Sequence, residues 1–495
     1  MALTCALLAA TVLLLVVTDA NLLAILAPAA LVAFGALVVR TPLRTLSLAM
    51  VFLALATEGQ GDSSERWQSP LYTLGLLLHH NLNVVLPLQA LRFTGLDVII
   101  VGLFALAAWR RARRDPLERG ARVASPPALR GGAVLTLATL LLLIGMGRAT
   151  GGDLSQVYWQ THQFALVPIL FFLLEASLRG PADLQQVGRV YLAAALAKAF
   201  VAIYVSLTVR NLDGTPLACM TSHGDSVLFA GACAILITNF IERPRRAQLV
   251  RVAIFLPPIL LAMVVNNRRL VWVELAGVLL CFYLLSPMTR LKRQLTRLAV
   301  LSLPVLALYL AVGWNSGSGL FKPVQTIKSL VVSKTDRSTE ERDVENFNLL
   351  YTMREHPIFG TGYGHEYTEI VKGDDISMFF PQYRYIPHNS LLGVWAFAGT
   401  LGFVGLWMMI GLSVFFAARA YRASRVPAQR AAALVAIGVV LVYMIQCYGD
   451  MGFVSWTASF TLALAIVASG KLAVATGGWP ARARPQALVP AGLPQ

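Results

Sequence analysis

Residues 131–147 read Gly-Gly-Ala-Val-Leu-Thr-Leu-Ala-Thr-Leu-Leu-Leu-Leu-Ile-Gly-Met-Gly, a run of 17 residues without a charge. At about 1.5 Å per residue, a helix of this length approaches the thickness of a bilayer's hydrocarbon core, about 30 Å. Similar runs recur along the whole chain, whose 495 residues are 57% hydrophobic and 13% charged. Soluble domains carry about 25% charged residues. The composition therefore excludes a cytosolic enzyme, a secreted disulfide scaffold and a disordered chain, and predicts a polytopic membrane protein.

Hydropathy delimits fourteen apolar runs along the chain. They lie at 3–17, 22–39, 43–57, 94–109, 131–147, 163–178, 190–209, 225–241, 252–265, 270–286, 298–313, 389–417, 431–448 and 453–470. We therefore expect an all-α integral membrane protein with about 12–14 transmembrane helices. The first run lacks a basic segment before it and a small-residue cleavage site, so it is predicted to be a retained helix.

Basic residues cluster between the apolar runs, at 40–44, 110–130, 243–251, 290–297 and 419–430. All five clusters fall on one side of an alternating topology, which the positive-inside rule makes the cytoplasmic side. This placement accounts for the net charge of +16 without nucleic acid as a partner. Both termini are then cytoplasmic.

The opposite, outward side holds the two longest segments that are not apolar. Residues 58–92 include His79 and His80 and are compatible with a helix on or in the membrane surface; the sequence assigns these histidines no role. Residues 314–388 form a large outward loop, and long loops in compact proteins are usually functional. This loop divides the membrane helices of 1–313 from those of 389–470. Residues 471–495 are rich in Ala, Pro, Gly and Arg and are expected to form a disordered cytoplasmic tail.

Two outward arginine sites have alternative interpretations. Residues 266–269 read Asn-Asn-Arg-Arg and interrupt two apolar runs. The arginines either snorkel to lipid headgroups from a tight turn or face an outward cavity, where their forked donors suit a pyrophosphate. Arg210, at the end of another run, is either an interfacial anchor or a phosphate contact. His223 in the same outward segment is expected to be a solvated loop residue rather than a catalytic one.

The end of the large loop carries a third group of candidates. Residues 355–364 read Glu-His-Pro-Ile-Phe-Gly-Thr-Gly-Tyr-Gly, and residues 387–392 read Pro-His-Asn-Ser-Leu-Leu. The glycines either form turns with positive φ or bring backbone amides close to an anion or a sugar; no Lys-Ser/Thr follows, so they are not a nucleotide P-loop. His388, where the loop re-enters a helix, is either an interfacial polar cap or a general base facing an outward cavity.

These features together resemble the bacterial O-antigen ligase and O-antigen (exopolysaccharide) polymerase superfamily. In that family a segment of pattern ehPlfGxGxG precedes an HNxxL segment that opens the next helix; here these are 355–364 and 388–392, followed by Gly-Thr-Leu-Gly at 399–402. The resemblance implies a metal-independent inner-membrane glycosyltransferase without a cofactor, whose active site faces the periplasm. It also implies donor and acceptor glycans on undecaprenyl pyrophosphate, contact with membrane lipids and, for a polymerase, a chain-length regulator as partner.

The resemblance also implies a role for particular residues. His388 matches the loop histidine that is the proposed base for the acceptor hydroxyl. The candidates for binding pyrophosphate are Arg268, Arg269, Arg210 and Arg342, of which either Arg268 or Arg269 matches the family's mid-chain arginine. The expected substrate contacts are Asn389, Gly362 and Tyr363. If no side chain attacks the sugar, direct displacement inverts the anomeric centre.

The sequence leaves several functions open. A polymerase would join lipid-linked repeat units, whereas a ligase would move finished polymer onto the lipid A core; both use the same donor on the same side of the membrane. A secondary transporter would carry charges within its spans and broken helices in matching halves. Here the charges lie at helix ends and in one late loop, which favours an enzyme. A non-catalytic membrane scaffold is a further alternative.

Overall fold

The computed structural model describes residues 32–57, 71–85, 93–211, 219–316, 337–378 and 380–480, with single residues at 214, 215, 217, 318, 321, 324 and 328. Helices dominate these residues, which contain no strand; Asn81 and Thr94 pair in an isolated bridge. The predicted all-α polytopic membrane fold is confirmed. The apolar run 3–17 and most of the run 22–39 lie outside the described residues.

The helices are numbered here in chain order. They are α1 (Val32–Arg40), α2 (Leu43–Ala56), α3 (Tyr72–His79), α4 (Gly95–Arg113), α5 (Pro127–Ala149), α6 (Leu154–Ser177), α7 (Pro181–Thr208), α8 (Asp225–Glu242), α9 (Arg246–Asn266), α10 (Leu270–Leu285), α11 (Arg290–Gly313), α12 (Arg337–Glu355), α13 (Ser390–Ala423), α14 (Pro427–Gly449) and α15 (Trp456–Ala475). Single turns occur at Leu82–Val85, Pro116–Glu118 and Gly452–Val454.

Nine helices of the described residues are long and apolar enough to cross a membrane, namely α5–α9, α11 and α13–α15. Helices α1 and α2 are long and apolar enough to cross a membrane only when they are taken together, and the chain bends by 117° between them. The sequence predicts them to be parts of separate spans. Helix α10 is apolar but shorter. Most of α15 is enclosed by other helices, whereas α11, which leads into the large loop, is exposed along its apolar length. An exposed apolar helix of this kind is suited to contact with lipid.

Arg110 holds the bend between α1 and α2. It is fully buried, and its Nη2 donates hydrogen bonds to the carbonyl oxygens of Val38 (3.0 Å), Val39 (2.9 Å) and Thr41 (2.7 Å). Carbonyl groups at a helix C-terminus lack donors within their own helix, and a cation there also opposes the helix dipole. This member of the predicted cytoplasmic cluster therefore caps α1.

Other arginines of the predicted cytoplasmic clusters pair with carboxylates on neighbouring helices. The ion pairs are Arg44–Asp183 (2.6 Å), Arg130–Glu175 (2.8 Å) and Arg430–Glu242 (2.9 Å). Together with Arg110, these contacts bring the arginine-rich segments 40–44, 110–130 and 419–430 to one end of the helix bundle. We call this the basic end.

The expected disordered tail is partly folded at the basic end. Helix α15 continues past residue 471 to Ala475, and Trp479 packs against Phe416 of α13 with ring centroids 5.2 Å apart. Leu472 is fully buried, so apolar side chains hold this segment on the bundle. Only residues 481–495 of the predicted tail lie outside the described part. Within the predicted segment 58–92, the structure describes α3 and a following turn; residues 58–70 and 86–92 are outside it.

Helix α13 is broken at Gly399, whose φ and ψ of 61° and −175° are not helical. The chain segment 357–362 docks into this break and pairs with the backbone groups on either side of it. Two backbone N–H groups of the segment donate to α13, Thr361 to Ala396 O (3.3 Å) and Gly362 to Phe397 O (2.8 Å). Two N–H groups of α13 donate to the segment, Thr400 to Pro357 O (2.9 Å) and Leu401 to Ile358 O (3.1 Å). The Pro-Ile-Phe-Gly string thus completes a broken membrane helix.

Glycine is required on both sides of this contact. Gly360 and Gly399 have φ of 69° and 61°, a backbone conformation that residues with a side chain rarely adopt. A Cβ on Gly360 would lie 2.3 Å from the carbonyl carbon of Phe397, and one on Gly399 would lie 2.4 Å from the nitrogen of Gly360. The backbone contacts therefore match the turn-forming interpretation of the glycine cluster.

Substitution of either glycine should loosen the docked segment. Gly360→Ala and Gly399→Ala each force a residue into a left-handed conformation, which costs about 1–3 kcal/mol, and also press Cβ into backbone. We expect both to lower the thermal unfolding midpoint of the protein in detergent. Gly411→Ala in the same helix is the matched control, because a Cβ there meets nothing within 4 Å. Equal midpoints for Gly360→Ala and Gly411→Ala would contradict this account.

Candidate functional site

The segments expected on the outward side meet at the end of the bundle opposite the basic end. Asn266 Oδ1, at the end of α9, accepts hydrogen bonds from the backbone N–H groups of Met220 (3.0 Å) and Thr221 (2.8 Å). The N–H of Phe453, between α14 and α15, donates to Ser390 Oγ at the start of α13 (3.4 Å). We call this the site end.

Each residue of the Asn-Asn-Arg-Arg turn has a different role. Asn266 is buried and anchors the preceding loop, while Asn267 closes the turn with φ of 56°, a conformation that asparagine tolerates. Arg268 is half-buried and its Nη1 donates to Nε2 of His223. Arg269 is exposed at the N-terminus of α10. The structure thus distinguishes two arginines that the sequence leaves equivalent.

His223 connects Arg268 to Asp450. Its Nε2 accepts from Arg268, and its Nδ1 donates to Asp450 Oδ2. Because a guanidinium only donates and a carboxylate only accepts, this pattern corresponds to a neutral imidazole with its proton on Nδ1. His223 is a loop residue with a side chain that is 38% exposed, as expected, but both of its ring nitrogens have protein partners, which the sequence did not indicate.

Asp450 is a buried carboxylate in the connection between α14 and α15. Burial alone would raise its pKa, but the hydrogen bond that His223 donates to the carboxylate outweighs burial and lowers the pKa to about 2. The positive charge of Arg342 acts in the same direction, so Arg342 lies within electrostatic reach of Asp450. Arg268, His223, Asp450 and Arg342 form what we call the arginine cluster.

His388 is held by a carboxylate of the large loop. Its Nδ1 donates to Glu345 Oε1 (3.3 Å), and its backbone N–H donates to Glu345 Oε2 (3.0 Å). Glu345 is buried, whereas the His388 side chain is 30% exposed. A neutral histidine whose Nδ1–H faces a carboxylate presents the lone pair of Nε2, so this arrangement is able to accept a proton.

Helix α12 joins the two groups. Arg342 and Glu345 are three residues apart on α12 and therefore share one face of the helix. Arg342 on this face belongs to the arginine cluster, and Glu345 on the same face accepts the hydrogen bonds of His388. Asn348, one turn further on, accepts the N–H groups of Ile370 and Val371 and so ties α12 to the rest of the loop.

The expected substrate contacts lie in packed positions. Asn389 is buried, its Oδ1 accepts the N–H of Leu392 as the N-cap of α13 (3.2 Å), and its Nδ2 donates to Asn346 (3.0 Å). Tyr363 is buried as well, and a Cβ on Gly362 would lie 2.5 Å from the nitrogen of Gly147 in α5. The contacts that the structure gives these residues are with the protein, and their contact with a substrate stays a prediction.

Arg210 differs from the arginine cluster in its contacts. It is exposed, and its Nη1 donates to the carbonyl oxygens of Ser206 (2.8 Å) and Val209 (2.8 Å) at the end of its own helix α7. These contacts are those of a C-terminal cap, which matches the anchor interpretation.

A buried ion pair fixes the segment that carries His223. Lys198 Nζ of α7 lies 3.3 Å from Asp225 Oδ2, in the first turn of α8, and both side chains are almost fully buried. Buried charges are costly unless they are paired, and removing one partner is strongly destabilising. The pair therefore positions the start of α8, two residues after His223.

Glu345 and Asp450 are the residues of this site that sequence reasoning missed. Asp450 is an isolated acidic residue between the apolar runs 431–448 and 453–470. A lone carboxylate at the outward end of two spans is a recognisable signal, because charge near a membrane is rare without a function. Glu345 is one of ten acidic residues of the large loop, and only its contact with His388 distinguishes it.

The stretch that contains most of these residues also matches a known family. Residues 253–408 match the protein-family model described as O-antigen ligase. The match covers about a third of the chain and confirms the resemblance to the O-antigen ligase and polymerase superfamily. No curated protein matches the chain.

The matched stretch includes Arg268, Arg342, Glu345 and His388, while His223 and Asp450 lie outside it. The nine apolar helices of the described residues indicate a multi-pass membrane protein. The arginine cluster is thus completed by segments on both sides of the matched stretch.

The lowered pKa of Asp450 predicts how the stability of the folded protein depends on pH. Its folded value of about 2 lies below the value of about 3.9 for an unfolded aspartate, so the carboxylate stabilises the protein above about pH 4, and this gain is lost as the pH falls towards 2. The gain is about 2 kcal/mol. We expect Asp450→Asn to unfold at lower temperature than the native protein between pH 4.5 and 6, with the difference shrinking below pH 4. A difference that is as large at pH 2.5 as at pH 5 would refute this.

Proposed function

We propose that the protein polymerises oligosaccharide repeat units carried on undecaprenyl pyrophosphate, at the periplasmic face of the bacterial inner membrane. In this reaction a hydroxyl of one lipid-linked glycan attacks the anomeric carbon of another. The bond from that carbon to the pyrophosphate breaks, and the lipid pyrophosphate leaves as an anion. The observation that carries the proposal is the single face of α12, which reaches both the arginine cluster and His388.

The arginine cluster would bind the departing pyrophosphate. A guanidinium has five N–H donors in a planar fork whose geometry suits phosphate oxygens. The His223–Asp450 pair orients Arg268 through the hydrogen bond between Arg268 Nη1 and His223 Nε2. Positively charged groups that are already in position stabilise the negative charge that develops on the leaving pyrophosphate in the transition state. Such electrostatic stabilisation is often the largest contribution to catalysis.

His388 would remove the proton of the attacking hydroxyl. Glu345 orients the ring and favours the tautomer with hydrogen on Nδ1, so that Nε2 accepts the proton. The carboxylate also stabilises the imidazolium that results, as in other histidine–carboxylate pairs. No side chain forms a bond to the sugar in this scheme, so the new linkage has inverted anomeric configuration. The proton then passes from His388 to water.

A ligase is the second candidate, and the description of the matched family favours it. A ligase would use the same donor and the same arginine cluster but a different acceptor, the lipid A core. The two enzymes differ in the material that accumulates when the reaction is blocked.

His388→Ala tests the base and the acceptor together. Because a general base contributes about 10²–10⁴-fold, we expect loss of polysaccharide at unchanged protein abundance. Lipid-linked glycan of a single repeat unit should accumulate, as detected by mass spectrometry of extracted lipids. His356→Ala, an exposed histidine of the same loop, serves as control and should retain activity. Unchanged product in His388→Ala would remove His388 from catalysis, whereas accumulation of long, unattached polymer would identify a ligase.

The two adjacent arginines offer a matched pair of variants. Arg268→Lys keeps the charge but loses the fork that binds His223 and two phosphate oxygens, so we expect at least an approximately tenfold loss of transfer rate. Arg269→Lys alters an exposed residue and should be nearly neutral. Transfer is measured on purified lipid-linked repeat units. Equal rates for the two variants would favour the headgroup-anchor interpretation of the turn.

A further inference from the structure

A cavity of about 650 Å³ lies among α7, α8, α9, α14 and α15 at the basic end of the bundle. Its volume falls in the range of cavities that bind small molecules, about 300–1,000 Å³. On α7 it is lined from Pro181 to Leu192, the half of that helix remote from the site end. The cavity is therefore separate from the arginine cluster and from His388.

The lining of the cavity changes from polar to apolar with depth. Arg243 and Arg251 border it near the facing ends of α8 and α9, together with Gln248 and Gln429, and Arg189 borders it about two turns into α7. Further along the same helices it is lined mainly by leucine and valine side chains. On α14 the lining runs from Ala428 to Val439, which at about 1.5 Å per residue is a depth of about 16 Å.

The charged residues that border the cavity are arginines. Three arginines border the cavity, and within the described part of the chain no acidic residue does so. Guanidinium groups bind phosphate oxygens through paired donors, so the polar mouth suits a phosphate. A free phosphate ion would leave the apolar depth unfilled, whereas a hydrocarbon chain would fill it favourably.

We propose that this cavity binds an anionic phospholipid, with the phosphate headgroup at the three arginines and an acyl chain along the apolar depth. Basic pockets between transmembrane helices on the cytoplasmic side are suited to anionic lipid headgroups. The cavity opens at the end of the bundle where arginine-rich segments gather, which the positive-inside rule makes that side. The inference is independent of the proposed reaction at the site end.

Native mass spectrometry of the full-length protein in neutral detergent tests the headgroup. Phosphatidylglycerol is compared with phosphatidylcholine of identical acyl chains, and we expect preferential retention of phosphatidylglycerol. Arg243→Gln should weaken this binding about fivefold, since one arginine near a phosphate contributes roughly 1 kcal/mol. Arg246→Gln alters an exposed arginine of the same connection that does not line the cavity, and should leave binding unchanged.

Gly188 offers a second test that does not depend on charge. It lines the cavity, and a Cβ there meets nothing within 4 Å, so Gly188→Trp should occupy the space and displace the lipid. Gly131→Trp is the control, because Gly131 is equally open but lies on α5 outside the cavity. Equal retention of the two lipids, or no effect of Arg243→Gln and Gly188→Trp, would indicate only annular lipid and overturn the proposal. Displacement of bound lipid by inorganic phosphate would assign the arginines to a free anion and overturn it equally.

Discussion

A helix that breaks inside a membrane must find hydrogen-bond partners for the backbone groups it releases, because the hydrocarbon core supplies none. Helix α13 breaks at Gly399, and the chain segment 357–362 provides those partners through four backbone hydrogen bonds. Glycines with positive φ on both sides allow the two backbones to approach. This contact fixes the end of the large loop on the bundle, and the position of α12 and of His388 depends on it.

Helix α12 connects the docked segment to the site residues. It ends just before the docked segment, and its Asn348 binds the backbone of the following loop. One face of the helix then presents Glu345 to His388 and carries Arg342, whose positive charge acts on Asp450. A loop that is held at several points can position a base and a phosphate-binding group together, as a proposed displacement reaction requires. The separate cavity at the basic end, bordered by three arginines and by apolar side chains, differs in chemistry from the site end.

Much of the fold could be predicted from local sequence. The run 131–147 corresponds to α5, and the runs from 163 to 241 correspond to α6–α8, because a long apolar stretch has few alternatives to a membrane helix. The bent pair α1–α2 was less predictable, since Arg110, about 70 residues away, holds the bend. The tail boundary was placed too early because a few apolar residues, Trp479 among them, pack onto α13.

Residue types and spacing were enough to predict an all-α membrane protein, a large loop between late helices and the family motifs around His388, because each depends on neighbouring residues. They could not separate Arg268 from Arg269, assign partners to His223 or single out Glu345 and Asp450. Those distinctions arise from contacts between segments up to about 230 residues apart, as between His223 and Asp450. Which of several equivalent charges becomes buried and paired depends on how helices pack, and packing is a property of the whole bundle.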